Sequence, residues 1–531
     1  MNRSNPPRPS IVDRRFFAPI RRWADTLCDP TRRDRAALWS IVGFVALWTL
    51  YGVLAKGSQG IHFDMAEVAE LGRHFSLGNA KNPPFANWLA GAWFLVFPRA
   101  DWSFYVLSMG GVGVALWAAW SLSGRILDGE KRVLALALLT FIPLLTFHPL
   151  KFNNNALMIP LWALTILFFV RSFDERHLAA AALAGVFAAL AILTKYWSIM
   201  LIAGLALAAL LDRRRDRYFA SAAPWITVLA GALVLAPHVL WLFNNGFPSF
   251  NYALIVHGGR SFARSLASSG NYLAGAAAYA LIPVVIALAA TRPSRAALLD
   301  IFRPSDDRRR FIAITFATML LLPVPIALAA NSQITSLWTM PSWTLLPLVL
   351  LAPPAIAVSR AALVRVLGLA AAVPILAVLL APGIAVIIHR EGLAGTPGYY
   401  QPLAAVVERM WREATPQPLR FIGGDGELAY GTAFYLAKPA TVFPDGNRQL
   451  APWVEPSELA LAGIVFVCPA EEERCVASAK GYAGNFPRFG VDEIAVAKRY
   501  LGIEGPRRTF VIVTVPPRNA LADAGARRAG Q

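Results

Sequence analysis

Among the side chains able to accept or hand on a proton in one short stretch, Ile-His-Phe-Asp-Met-Ala-Glu-Val-Ala-Glu-Leu-Gly-Arg-His-Phe at 61–75, are Asp64, Glu67 and His74. Their roughly helical spacing puts them on one side of a helix, with Met65, Val68, Gly72 and Phe75 on the other. Two readings fit that pattern. One is the polar face of an amphipathic helix lying on a membrane surface; the other is a group of acids facing an aqueous cavity. The stretch begins only a few residues beyond an apolar run near 37–55, which is where a membrane-embedded site would open to the outside. Downstream, Pro83-Pro84 sets a sharp corner and the start of a new helix, because proline fixes φ and lacks an N–H.

The elements that must position these groups are membrane helices. Of 531 residues 56% are hydrophobic, with a mean hydropathy of +0.49, which excludes a purely soluble or disordered chain. Eleven apolar runs, near 37–55, 103–123, 133–149, 155–171, 179–193, 197–211, 220–242, 269–291, 311–330, 339–358 and 362–388, approach the length that crosses ~30 Å of hydrocarbon. Lys and Arg outnumber Asp and Glu by 50 to 32, a net charge of +18. These cations lie mainly between the runs and read as topology determinants rather than a nucleic-acid groove. Nine arginines precede residue 36 (Arg3, Arg8, Arg14, Arg15, Arg21, Arg22, Arg32, Arg33 and Arg35), and no small-residue cleavage site follows the first run, so a retained anchor with a cytoplasmic basic N-terminus (1–36) is expected. Alternate loops then carry the arginine clusters, such as Arg213/Arg214/Arg215/Arg217. The opposite loops hold only Lys56, Arg73, Lys81, Arg99, Lys151, Lys195, Arg260 and Arg264. This asymmetry puts those loops and the C-terminal segment outside.

From 390 to 531 no run is long enough to span. Strand-like runs at Leu419–Ile422, Gly463–Cys468 and Thr509–Val515 alternate with helix-like Leu403–Glu413, Leu428–Leu436 and Glu471–Lys480, which predicts a small α/β domain beyond the membrane region (37–389). Cys468 and Cys475 fall on the oxidising side and are expected as a local disulfide, with two unpaired thiols the alternative; Cys28 should stay reduced. No Cys/His spacing suits a structural zinc. Gly-Gly-Asp-Gly at 423–426 lacks the full phosphate-loop spacing and reads as a turn.

Several motifs come in a distinctive order. Asp64 and the short helix are followed by Gly78 and Pro83-Pro84-Phe-Ala-Asn-Trp88. Then come Lys151-Phe-Asn-Asn-Asn155-Ala-Leu, Leu193-Thr194-Lys195-Tyr196, and Pro237-His238-Val-Leu-Trp241 with Asn244-Asn-Gly-Phe-Pro-Ser-Phe250. Together they resemble the GT-C glycosyltransferases of the protein O-mannosyltransferase-like branch, which includes the lipid A aminoarabinose transferases and the rhizobial lipopolysaccharide galacturonosyltransferases. The resemblance implies a GT-C-like polytopic helical protein of the bacterial inner membrane with a small periplasmic α/β domain. It also implies transfer of a sugar from a polyprenyl-phosphate donor to a lipid, glycan or protein acceptor, usually with inversion.

On that resemblance Asp64, aided by Glu67, is the candidate acid/base that deprotonates or orients the acceptor hydroxyl. Lys195, Lys151, Lys81 and Arg260, with Arg264 near, are candidates for the donor phosphate, where charge-assisted contacts stabilise the departing anion; singly, each also fits a snorkelling side chain. Asn155, Tyr196, His74, Pro83, Pro84, His238 and His257 are candidates to line the cavity, with Trp88, Trp102, Trp241 and Trp338 at its border. His389 also falls at a membrane edge, where such a residue more often makes an interfacial hydrogen bond. Some GT-C enzymes use a divalent cation, for which Asp64, Glu67 and His74 are the available ligands. Two positions depart from the family pattern. Met65 follows Asp64 where relatives carry a second acid, and Asn155 stands where they commonly carry Asp. A transporter or flippase of lipid-linked glycans, or a non-catalytic scaffold, are the competing classes; the first would show an internal repeat and broken helices at the midplane.

Overall fold

A computed structural model of the chain describes residues 18–518; Arg3, Arg8, Arg14, Arg15 and residues 519–531 lie outside the described residues. Seven helices are long and apolar enough to cross a membrane: Arg33–Ala55, Asp101–Ser123, Asn154–Glu175, Ala223–Asn245, Phe262–Thr291, Asp307–Ala329 and Arg360–Glu391. Among the described residues one further pair, Gly129–Leu139 and Pro143–Leu150, is apolar enough when taken together and is bent by 83°, as in a broken span or a re-entrant loop. Pro143 sits at the break, where its missing N–H interrupts the helical ladder. Of the eleven expected spans, seven or eight are long helices among the described residues. The other three are short apolar helices, Leu178–Thr194, Tyr196–Leu211 and Ser336–Leu351. At 1.5 Å per residue the 17 residues of the first reach only about 26 Å. Apolar composition alone does not reveal such shortening. Ser336–Leu345 is moreover a 3₁₀ segment with Pro341 inside it.

Small residues set the closest crossings. A Cβ on Gly185 would come within 2.1 Å of the Thr227 carbonyl oxygen, so helix Leu178–Thr194 lies directly on helix Ala223–Asn245. The Thr227 hydroxyl, in turn, donates to the Ala181 carbonyl at 3.0 Å. Helix Asn154–Glu175 runs the depth of the bundle. Its last turn holds Asp174, nearly buried, with Arg214 at 2.7 Å and Arg308 at 3.0 Å, an ionic knot that ties loops together at one end. Its first turn opens into the candidate site at the other.

After Gly392 the chain builds a five-stranded sheet from β1 (Phe421–Gly424), β2 (Thr441–Pro444), β3 (Ile464–Pro469), β4 (Gly490–Val496) and β7 (Arg508–Val515), in the order β2-β1-β3-β7-β4. β5 (Arg499–Tyr500) and β6 (Ile503–Glu504) form a separate small ladder. β1 is parallel to β2 and β3, whereas β7 is antiparallel to β3 and β4. Side chains alternate between faces, as the strand period requires. Ile422, Val465, Val467 and Ile512 join Val407 and Trp411 of helix Tyr400–Ala414 in a core continuous with the membrane bundle. Phe421, Ile464, Phe466 and Val513 pack on the other face with Ala479 and Ala483 of helix Glu473–Ala483. Cys468 of β3 is disulfide-bonded to Cys475 of that helix, with a Cα–Cα distance of 5.7 Å.

The stretch expected as a surface helix is a buried one. Helix Phe63–Gly72 has every residue from Met65 to Gly72 out of solvent. It packs on helix Phe85–Val96, where a Cβ on Gly72 would meet the Asn87 carbonyl at 2.4 Å, and on helix Gly426–Tyr435 of the sheet unit. The apolar side therefore rests on protein, not lipid. The reason lies in Glu70 and Arg73, which reach the sheet unit: Glu70 accepts from the Val442 N–H at 3.2 Å, and Arg73 donates to the Ala440 carbonyl at 3.0 Å.

Candidate active site

Asp64 occupies the first turn of helix Phe63–Gly72, whose N-cap is His62; the His62 Nδ1 accepts from the Asp64 N–H at 3.1 Å. Burial and the Lys151 charge hold the His62 imidazole below its ordinary range, which suits an unprotonated Nδ1. Lys151 Nζ lies 2.9 Å from Asp64 Oδ2, and the same oxygen accepts from Asn153 Nδ2 at 3.0 Å. Asn153 is the N-cap of helix Asn154–Glu175. Its Oδ1 accepts from the N–H groups of Asn155 and Ala156, which leaves the amide nitrogen to face Asp64. Burial opposes ionisation of Asp64, but Lys151 and the two hydrogen bonds outweigh it, so the carboxyl sits below the usual carboxylate range. The group is a carboxylate, one-third exposed, at the end of the bundle.

One turn further on, Asn155 Oδ1 accepts from Lys195 Nζ at 2.8 Å. Lys195 sits in the turn between two short helices, because Thr194 ends one and Tyr196-Trp197-Ser198 winds the next as a 3₁₀ turn. Its ammonium lies 4.5 Å from the centre of the Trp338 ring. Burial lowers its pKa to about 7, against the pull of Asp64. A half-buried lysine with one neutral hydrogen-bond partner is ready to receive an anion. His257 stands edge-on to the same Trp338 at 5.2 Å and feels both Lys195 and Arg260, which with burial hold it below its ordinary range. Arg260 donates to the Val256 carbonyl at 3.0 Å, and its Nε is buried without a partner.

Glu67 and Lys81 form a separate pair at 2.6 Å. Burial lifts the Glu67 carboxyl above its ordinary range, with Lys81 opposing. Pro83 and Pro84 are buried, and Pro84 is the N-cap of helix Phe85–Val96. Tyr196 lines a polar chain: its hydroxyl lies 2.8 Å from His238 Nε2 and 2.9 Å from Ser249 Oγ, while its ring stacks on Phe250. His238 Nδ1 is 2.7 Å from the Leu77 carbonyl, so it must donate there, and Nε2 then accepts from Tyr196. His238 thereby ties helix Ala223–Asn245 to the loop that follows the Asp64 helix. Trp241 presses on that loop too, at Gly78, where any Cβ would enter its ring at 2.2 Å.

His74 is not beside Asp64. The helix ends at Gly72, Phe75 turns the chain with a positive φ of 45°, and His74 instead stacks on Trp453 at 4.1 Å with its Nε2 3.5 Å from Glu70. The expected ligand set of Asp64, Glu67 and His74 is thus dispersed. Among the described residues no three of His, Cys, Asp or Glu converge on one point, and Lys151 and Lys81 already neutralise the two acids. These residues do not fit a divalent cation. Arg264 N–H serves only as the capping partner of Ser261, and His389 bonds the Ile503 carbonyl at 2.9 Å, holding the sheet unit to the last long helix.

Sequence reading did not single out the groups that cover this site from the sheet unit. Tyr400, fully buried, donates to Glu427 Oε1 at 3.0 Å, and burial followed by the charges of Glu427, Asp425 and Asp64 raises its pKa. Tyr435 bridges two parts of the membrane region. Its hydroxyl accepts from the Ile61 N–H and donates to Asp101, both at 2.8 Å. Gly-Gly-Asp-Gly at 423–426 is a strand-to-helix turn, with Asp425 capping the Leu428 N–H.

The family described as dolichyl-phosphate-mannose-protein mannosyltransferase matches residues 81–241, a segment that carries Lys81, Lys151, Asn155, Lys195, Tyr196 and His238. The lipopolysaccharide core galacturonosyltransferase RgtB of Rhizobium johnstonii is 26% identical over 424 residues, 76% of this chain and 82% of that protein. In three dimensions the chain superposes on ArnT from Cupriavidus metallidurans bound to undecaprenyl phosphate with a TM-score of 0.60 at 14% identity, covering 89% of this chain and 97% of that one. Against the apo state of the same ArnT the TM-score is 0.56, covering 90% and 97%. The fold is the ArnT-like GT-C architecture.

Proposed function

We propose that this chain, a membrane glycosyltransferase of the GT-C type, moves a uronic acid from a polyprenyl-phosphate carrier to a lipopolysaccharide acceptor at the periplasmic face. The observation that carries the reading is the pairing, at the start of one helix, of a clamped carboxylate with a half-buried lysine: Asn153 holds Asp64 while Asn155 holds Lys195. Asp64 accepts the proton of the acceptor hydroxyl, or fixes its direction, as the new bond to the anomeric carbon forms. The bond from that carbon to the phosphate oxygen breaks, and the electron pair leaves on the lipid phosphate. Lys195 neutralises that charge from a half-buried position already oriented by Asn155. Lys151 keeps Asp64 ionised before the acceptor arrives. The acidic sugar is supported by the likeness to RgtB, and the carrier by the undecaprenyl phosphate named for the ArnT structure. The positive-inside pattern supports a cytoplasmic N-terminus and a periplasmic sheet unit, with domain limits near 36 and 389.

Mass spectrometry of glycolipids from a deletion strain, complemented with wild type or with Asp64→Asn, tests this. A glycolipid heavier by one uronic acid with wild type and absent with the variant is the expected outcome. Full restoration by Asp64→Asn would remove Asp64 from the mechanism. A different mass increment would replace the uronic acid with another sugar.

A further inference from the structure

We infer that a groove in the sheet unit, between the end of helix Tyr400–Ala414 and edge strand β4, binds the sugar chain of the acceptor. The inference rests on the glycolipid-acceptor reading and adds a second contact, away from Asp64, through which the acceptor is chosen. The groove has a volume of about 580 Å³, a size that suits a small ligand or part of a larger one. Arg409 and Glu413 line the helix side, and Arg488 and Asp492 the strand side. None of these four makes an ion pair with another described residue.

Two cationic and two anionic side chains without ion-pair partners, lining one cleft with balanced charge, match the many hydroxyl groups of a saccharide better than a single anion or cation does. Phe489, 44% exposed at the same rim, offers an apolar face for the C–H side of a sugar ring. The floor carries a second, independent mark. Thr514 of β7 is only 4% exposed, and its hydroxyl has no hydrogen-bond partner. Its cross-strand neighbour on β4 is Gly490, which has no side chain to cover it. A buried hydroxyl left unsatisfied keeps the full cost of its lost hydration, and a ligand hydroxyl reaching the floor would relieve that.

Placement gives the groove its role. Tyr400, at the start of the helix, lies against the loop that leads into the Asp64 helix, where a Cβ on Gly60 would stand 3.4 Å from its ring. Arg409 and Glu413 follow nine and thirteen residues later, about 14–20 Å along the axis at 1.5 Å per residue. An acceptor whose reacting sugar sits at Asp64 would lay sugars further along its chain in the groove.

The test uses the full-length protein in detergent and, as probe, the lipid-free core oligosaccharide released from lipopolysaccharide of the deletion strain. Saturation-transfer NMR should show contact with wild type and with Asp64→Asn, and a loss of at least about fivefold in the double variant Arg488→Ala/Phe489→Ala, whose side chains are exposed and carry no part of the core. In transfer assays the double variant should raise KM for the intact acceptor about tenfold with kcat unchanged, and leave a truncated acceptor unaffected. No contact with wild type, or equal contact with the double variant, overturns the inference. Contact that follows this pattern without any sugar transfer upholds the groove and counts against the transferase reading alone.

Discussion

Lys195 is poised to change charge near neutral pH, and the sign of that change is testable. Its folded pKa of about 7 lies below the ~10.4 of an exposed lysine, so between those values the unfolded chain holds a proton that the folded chain has lost. This group therefore makes stability rise with pH from about 7 to about 10. Activity moves the other way, because the donor phosphate needs the ammonium. We expect kcat/KM for the donor to fall as pH climbs past about 7. Asn155→Asp sets a carboxylate 2.8 Å from the ammonium and should move that alkaline limb upward by a unit or more, read directly from pH-rate profiles. At the carboxylate, Asn153→Ala removes both the cap of helix Asn154–Glu175 and the 3.0 Å bond to Asp64. A thermal-unfolding loss of about 1 kcal/mol from the cap, together with a fall in kcat that exceeds any change in KM, is the expected pair of results. A change in KM alone would mean that Asp64 is held well enough by Lys151.

The element that carries Asp64 is placed by contact with two others. Gly72 allows helix Phe63–Gly72 to lie against helix Phe85–Val96, and Gly72→Ala would drive a methyl into the Asn87 carbonyl. Overpacking of this kind costs about 1–3 kcal/mol, and the helix bearing Asp64 is the part free to shift. The thermal midpoint in detergent should drop, and transfer should drop with it; a fully active, destabilised variant would show that the helix position is not critical. Much of this layout was legible in the chain. The loops holding Lys81, Lys151 and Lys195 could be assigned to one side because arginines crowd the other, and the Pro83-Pro84 corner follows from proline's fixed φ. The burial of the Asp64 helix was not legible. Its cover, Tyr435 and Val442, lies more than 370 residues away, and local periodicity looks the same whether the apolar side meets lipid or protein. Asn153 was hidden for another reason: in a run of three asparagines, only the geometry of the helix start decides which one caps.

For the molecule as a whole, the sheet unit is part of the site. Tyr435, Glu70 and Arg73 join it to the loop and helix that present Asp64, and Lys498 adds a bond to the Gln59 carbonyl at 2.9 Å. Tyr435→Phe leaves the ring in the core but strips the Ile61 N–H and Asp101 of their shared partner. A fall in kcat of about tenfold with an unchanged KM for both substrates is expected, and steady-state kinetics decide it. The order of the strands carries a consequence for biogenesis. β7, the last strand of the chain, lies between β3 and β4, in the interior of the sheet rather than at its margin. While a ribosome is still making the final residues, β3 has no neighbour on that side, β4 has nothing to pair with, and the lid over Asp64 is unfinished. The cover of the Asp64 helix thus closes from within, when β7 enters between two strands made before it.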